Sequence, residues 1–515
     1  MPTNLRVQSS EFIDETIRVS FKFNGKTYYG FKGDTLASAL LANDIHLVGR
    51  SFKYHRPRGI MTAGSEEPNA IVQVNDKTNR TEPNVRATEL EIYEGLEASS
   101  QNCWPSVNFD IGGINNAISA FLPAGFYYKT FMWPASFWEK YEFFIRHSAG
   151  LGKSPTDKDP DIYDHRYVYC DVLVVGAGIS GILAAKNAAK NNFKTLLVDE
   201  KNELGGSTIY QNREFNKIEN QSSSDWIKKE IEELNNIKNL EIKTRTSVAA
   251  YHGYNYLLAR ENLTDHLEKK DKKGKIRQRL LKIRAKKVIL ATGALERPLI
   301  FNNNDRPGIM LSSAIKKYAD FYGVVSGKKN VFFTNNDSAY ESALCLHNKG
   351  IKVEAVIDIR ESSNSKIVKA VENVGIKIHW SHTIVDTKGY KRLNSISAMK
   401  LSNDGLSVTG NKIDISCDCL GVAGGWTPAV HLFTQSGGKL KFDENNKVFL
   451  PNKYPSDQLS VGSCNGDFNL NEIINNLSTN LKEFLKIDKT DFDNLSIESE
   501  EENSKRNIWL LPSDK

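Results

Sequence analysis

The stretch Val172-Leu173-Val174-Val175-Gly176-Ala177-Gly178-Ile179-Ser180-Gly181 restricts the fold more than any other part of the 515 residues. Four aliphatic residues read as a buried parallel strand. The Gly-x-Gly-x-x-Gly that follows opens a helix reaching about Asn191. Gly176 permits the tight turn, Gly178 lets a pyrophosphate approach the backbone, and Gly181 lets helix and strand pack closely. Free N–H groups and the positive end of the helix dipole then face the phosphates. A second strand, Thr195 to Asp199, ends at the two acids Asp199 and Glu200, the latter 24 positions after Gly176. An acid there accepts hydrogen bonds from the adenosine ribose and repels a 2′-phosphate, so NAD or FAD is expected rather than NADP. A glycine loop used for packing alone is the lesser alternative.

At roughly 100–200 residues per domain the length predicts three or four domains. Ile17 to Phe31 alternate around Asn24-Gly25, a hairpin signal, and Thr35 offers an N-cap to a helix through Ala42-Asn43. Strands are expected at Ala70 to Val74 and Thr88 to Tyr93, so residues 1–105 read as a small β-grasp domain. Residues 106–167 read as a linker or subunit interface: 11 of the 50 aromatic residues fall between Phe121 and Phe144. Those rings either pack into the chain's own core or form a contact for another subunit. Residues 168–325 and 411–486 form a first dinucleotide-binding domain, and 326–410 a second. In that second unit the glycine loop is replaced by Thr334-Asn335-Asn336-Asp337-Ser338-Ala339-Tyr340, whose side chains obstruct a phosphate, so it is expected to be degenerate and empty. Residues 487–515 read as a mobile polar tail.

The net charge of +6 is small for this length and predicts no nucleic-acid partner. The Lys- and Arg-rich run over 266–287 reads as a solvated hairpin tip. No apolar run is long enough for a membrane span, and the N-terminus lacks a secretory pattern. Six scattered cysteines suggest reduced thiols and a cytoplasmic protein. Cys417 and Cys419 read as buried thiols, and no CxxxxC pair follows Gly205-Gly206. His379 and His382 lack the partners a metal site needs, so no metal is expected. No residue pattern nominates a nucleophile or a general base, and the catalytic residues stay unknown.

Several segments resemble the α subunit of heterotetrameric sarcosine oxidase. They are Val48-Gly-Arg50-Ser-Phe-Lys53-Tyr54-His55-Arg56-Pro57-Arg58-Gly59, Glu67-Pro-Asn-Ala70, Gly176–Gly181 with Asp199-Glu200, Ala291-Thr-Gly-Ala-Leu-Glu-Arg-Pro298 and Asn304-Asp-Arg-Pro-Gly308. The resemblance implies an α/β fold class: a β-grasp, [2Fe–2S] ferredoxin-like domain, then a two-dinucleotide-binding-domain Rossmann fold similar to pyridine nucleotide-disulfide oxidoreductases. The cluster-ligand positions fall near Thr62, Glu67, Ala70 and Thr88, none a thiol, so no iron–sulfur cluster is expected. NAD is implied in the first site, with FAD as the alternative. Where flavin relatives end the closing strand in Gly-Asp, this chain reads Val461-Gly462-Ser463-Cys464, which weakens the FAD reading. The implied cofactor contacts are Gly176, Ala177, Gly178, Ile179, Ser180, Gly181, Asp199, Glu200, Lys201, Gly206, Ser207, Thr208, Val248, Ala291, Thr292, Gly293, Ala423 and Gly424.

The resemblance further implies β, γ and δ partner subunits, with sarcosine oxidised on FAD in β and an FMN at the α/β interface. Oxygen is then reduced to peroxide, and the one-carbon unit goes to tetrahydrofolate or leaves as formaldehyde. The family's folate-binding, aminomethyltransferase-like domain has no counterpart in these residues. Rival readings are a stand-alone FAD/NAD-dependent oxidoreductase, the corresponding component of a related amine or opine oxidase, and an assembly scaffold with a relic nucleotide.

Overall fold

The computed structural model describes every residue except 1–4, 8–9, 76–80, 123–124, 126–132, 149, 211–214, 456, 500–504 and 515. Asn24-Gly25 turns the first hairpin, pairing Asp14–Phe23 with Lys26–Lys32. Both turn residues hold positive φ, 51° and 78°. Thr35 caps the helix Leu36–Ala42 by accepting from the Ser38 N–H, and the whole helix is buried. Asp14–Phe23 also pairs in parallel with Leu96–Ser100, and Ile71–Asn75 and Thr81–Arg86 complete a five-stranded β-grasp sheet. The strand expected at Thr88 to Tyr93 is a turn instead. Its backbone serves the helix: Leu36 N–H donates to Leu90 O, Ala37 N–H to Ala87 O, and Ile92 N–H to Asp34 O.

A seven-stranded sheet carries the glycine loop. Leu240–Lys243, Thr195–Val198, Ile162–Val175 and Ile276–Leu290 run parallel in that order, and Gln458–Ser460 pairs with Val288, Ile289 and Leu290. Tyr256–Asn262 and Thr246–His252 extend it antiparallel. The strand ending at Val175 begins at Ile162, inside the stretch read as linker, because exposed Tyr163, Tyr167 and Tyr169 mask its start. The helix Ile179–Lys190 is buried along its length against Val172, Val174 and Leu197.

The second unit folds as strand Lys329–Thr334, helix Ser338–Asn348 and strand Lys352–Asp358. Its parallel sheet runs Ile309–Leu311, Cys419–Ala423, Lys329–Thr334, Lys352–Asp358, Ile378–Trp380. The first two of these strands lie in stretches the sequence reading gives to the first domain. Both are short and find their partners across long chain separations, so local pattern does not say which sheet they join. His382–Gly389, Leu393–Leu401 and Val408–Ser416 form a separate antiparallel sheet.

The described part of 487–515 is not a loose tail. Phe492 and Leu511 are buried, and Ile497–Glu498 pairs with Lys217–Ile218. These apolar residues follow neither a helical nor a strand period, so patterning does not reveal them; Glu500 to Glu502 lie outside the described residues. In the basic run, Lys269–Lys272 forms a short helix, and Arg277 pairs with Glu82, Asp161 and Asp265. Of the aromatic stretch, Phe126, Tyr127, Tyr128 and Phe131 lie outside the described residues, while Phe121 and Trp133 are 82% and 83% exposed. Among the described residues no helix is long and apolar enough to cross a membrane.

Candidate functional site

The three loop glycines do three different jobs. Gly176 leaves the strand with φ of +98°, and a Cβ there would collide with Ala291 O. A Cβ on Gly181 would collide with Gly176 O, which is the close helix–strand packing the motif predicts. Gly178 differs: nothing lies within 4 Å of where its Cβ would stand, and its φ of −70° is ordinary. Open space is therefore kept in front of Gly178. The helix Ile179–Lys190 starts there with no side-chain cap, so its first-turn N–H donors fit an anion arriving from that side.

The neighbouring segments close around this loop. Ala177 O accepts from Gly205 N–H at 2.8 Å, and a Cβ on Gly206 would lie 2.9 Å from Gly178 Cα. Ser207 leads into the turn Thr208–Tyr210, with Thr208 buried. Ala291 flanks Gly176, Thr292 Oγ1 donates to Ala429 O at 2.8 Å, and Gly293 turns with φ of +71°. Asp199 is used internally: its Oδ2 accepts from Ala177 N–H at 2.6 Å and its Oδ1 from Lys201 N–H at 2.8 Å. That separates the two acids read together from sequence. Asp199 braces the loop, and Glu200 is the one that faces open space.

Glu200, Lys201 and Gly206 line a cavity of about 970 Å³ between the β-grasp domain and the first nucleotide unit. Sequence reasoning missed its opposite wall. Ser65 Oγ donates to Glu200 Oε1 at 2.9 Å, and Tyr210 and Lys317 also line the cavity. Burial, with Lys201 nearby, brings the Lys317 amine down to about 7, and it donates to Ala63 O at 2.9 Å. No local signal could have placed these residues, which come from three distant parts of the chain. Val248 sits in the outer strand Thr246–His252, whose first N–H donates to Asp199 O. Ala423 and Gly424 are not brought to the glycine loop. They end a strand of the second sheet, where Ala423 O accepts from Asn335 N–H and Gly424 N–H donates to Arg297 O.

In the second unit Asn335, Asn336 and Asp337 are buried where a glycine loop would lie. Asn336 Oδ1 accepts from Ser338 N–H at 2.9 Å and so takes up the helix terminus. The Arg360 guanidinium, 3% exposed, holds Asp337 and Asp358 at 2.7 Å each. A carboxylate and its buried counter-ion thus stand where phosphates would enter.

The β-grasp loop has its own buried anion. Glu67 is 1% exposed. Its Oε2 accepts from Met61 N–H, Thr62 N–H and Thr62 Oγ1 at 3.0, 2.7 and 3.1 Å, and its Oε1 from Asn69 and Ala70 N–H at 2.8 and 2.9 Å. Burial pushes its carboxyl upward, and the backbone N–H donors act against that. Thr88 Oγ1 donates to Gly64 O in the same loop.

Glu296, on the segment that follows Gly293, is buried with Oε2 accepting from Ser313 N–H at 2.8 Å and Oε1 without a partner. Burial raises it from 4.5 to about 7. A carboxyl whose folded pKa is raised contributes stability in full below about 4.5, lost as pH rises through about 7. Glu296→Gln removes that loss. Its unfolding free energy is expected to exceed the native chain's at pH 8 by roughly 3 kcal/mol, with the advantage gone at pH 4. Urea titrations at the two pH values measure it; equal stabilities at pH 8 would contradict it.

A β-grasp domain joined to two Rossmann-type units is an oxidoreductase architecture, and the chain belongs to the pyridine nucleotide-disulphide oxidoreductases, whose family model matches residues 170–456. The model of the 2Fe-2S iron-sulfur cluster binding domain matches residues 17–103. Most of the chain is similar to sarcosine oxidase α subunits. It is 42% identical over 450 residues to the subunit of Rhizobium meliloti (strain 1021), covering 87% of this chain and 44% of that one. It is 34% identical over 460 residues to the subunit of Corynebacterium sp. (strain P-1), covering 88% and 42%. The chain thus spans less than half the length of these relatives. The structure of L-proline dehydrogenase from P. horikoshii shares the fold, with a TM-score of 0.61 and 19% identity over 96% of this chain and 80% of that one.

The residues present do not fit the cluster that the N-terminal match implies. Cys103 is the one cysteine in residues 17–103, and a cluster needs several thiolate ligands. The six cysteines of the chain are all free, and burial pushes the Cys417 thiol up to about 12.

Proposed function

We propose that this chain is the NAD-carrying subunit of a sarcosine oxidase complex. The carrying observation is the open face at Gly178 over an uncapped helix N-terminus, with Glu200 beyond it on the cavity wall. The bound dinucleotide would lie with its pyrophosphate on the N–H groups of Gly178 to Gly181 and its adenosine ribose toward Glu200. Glu200 favours NAD over a 2′-phosphorylated form. Ser463, in place of the acid that would hold a ribityl chain, favours NAD over FAD.

In this reading the complex demethylates sarcosine to glycine and reduces O₂ to H₂O₂. The one-carbon unit passes to tetrahydrofolate or leaves as formaldehyde. The flavins supply the redox chemistry: FAD within a β-type subunit, FMN at the interface with this chain, with γ- and δ-type subunits completing the assembly. The chain's own residues hold NAD and shape that interface. The β-grasp domain works without a cluster, Glu67 supplying the anion its loop encloses. Free thiols support a cytoplasmic setting. Co-expression with neighbouring genes, followed by extraction of bound nucleotides, tests the reading. NAD near one per chain is expected; flavin at that level in this chain alone would favour a stand-alone flavoprotein.

The exposed rings of the aromatic stretch support a subunit contact there. Trp133 is 83% exposed, Trp138 51% and Phe144 68%. Trp133→Ala with Trp138→Ala is expected to weaken co-purification of the β-type subunit by tenfold or more, roughly 1.4 kcal/mol or greater. Undiminished recovery in pull-downs would contradict it.

A further inference from the structure

In open α/β sheets ligands enter the crevice beyond the carboxyl ends of the strands. In the second unit three adjacent strands end there: Cys419–Ala423, Lys329–Thr334 and Lys352–Asp358. The residue after each is held by the chain's own C-terminal stretch. Trp509 Nε1 donates to Gly424 O at 2.6 Å, Arg506 N–H to Asn335 O at 3.2 Å, and Arg506 Nη1 to Ile359 O at 2.6 Å. Arg506 Nη2 reaches on to Ser402 O and Asn403 O. The stretch is anchored beyond the crevice as well. Ile300 N–H donates to Trp509 O and Leu511 N–H to Ile300 O, Leu511 is buried, and the Arg297 guanidinium lies 4.3 Å from the centre of the Trp509 ring.

We infer that residues 505–511 are an intramolecular strap that closes the crevice of the second nucleotide unit to outside ligands. Two observations independent of each other converge on that crevice. Asp337 and Arg360 occupy the place of the phosphates, and the strap crosses the strand ends above them. The space left beside the strap, lined by Arg297, Asn336, Gly425 and Trp509, has a volume of about 10 Å³, too little for a nucleotide. A hydride donor such as NADH therefore has no route onto this sheet while the strap is in place.

The test is hydrogen exchange on the full chain carrying Arg506→Ala and Trp509→Ala. Amides of 335–340 and 424–426 are expected to exchange about tenfold faster, while those of 172–182 stay unchanged. If that variant fails to fold, Trp509→Phe keeps the ring over Arg297 and loses the bond to Gly424 O, and faster exchange confined to 424–426 is expected. Unchanged exchange at these amides, in whichever variant folds, overturns the strap. So does NADH protecting 335–340 from exchange in the native chain, because it would show the crevice open.

Discussion

Glu67→Ala is expected to destabilise the β-grasp domain by about 4 kcal/mol, an effect near the top of the range for a single substitution. The carboxylate accepts five hydrogen bonds, four from backbone N–H groups that the loop turns inward. Removing it leaves those donors buried without acceptors, each a desolvation cost of about 1 kcal/mol or more. Glu67→Gln is expected to cost less, about 2 kcal/mol, since one amide oxygen remains while the NH₂ group faces donors. Urea unfolding followed by the fluorescence of the chain reads both, as a lowered midpoint with an unchanged slope. Stability within about 0.5 kcal/mol of the native chain for Glu67→Ala would mean the loop does not depend on its anion.

The second large effect is on binding rather than folding. Gly178→Val places a branched side chain in the open space before the helix, where the backbone already has an ordinary φ of −70°. The fold should accept it. The pyrophosphate should not, because it can no longer reach the first-turn N–H donors, and losing one or two charge-assisted bonds lowers NAD affinity by about a hundredfold. Gly181→Val makes the contrast: its side chain would run into Gly176 O, so it is expected to harm folding first.

Much of this was legible in sequence because the decisive signals are local. The hairpin at Asn24-Gly25, the cap at Thr35 and the loop from Gly176 to Gly181 each specify structure through a few neighbouring residues. The degenerate loop at Thr334 to Tyr340 was legible for the same reason, through side chains where glycines belong. What escaped was decided at a distance. Nothing near Ser65 or Lys317 says that the fold carries them to Glu200, and nothing near Ile309 or Cys419 says which sheet they join. The turn at Thr88 to Tyr93 has the composition of a strand, yet its backbone bonds are taken by a helix some 50 residues earlier. Asp199 and Glu200 are indistinguishable by motif, and only the bond from Ala177 N–H assigns them different tasks.

Calorimetric titration with NAD⁺ of the native chain, of Gly178→Val and of Asp337→Asn tests the central claim most directly. One NAD⁺ per chain is expected for the native protein and for Asp337→Asn, with affinity about a hundredfold lower for Gly178→Val. Binding that is undiminished in Gly178→Val but is lost with Asp337→Asn would put the dinucleotide in the other unit and contradict the account.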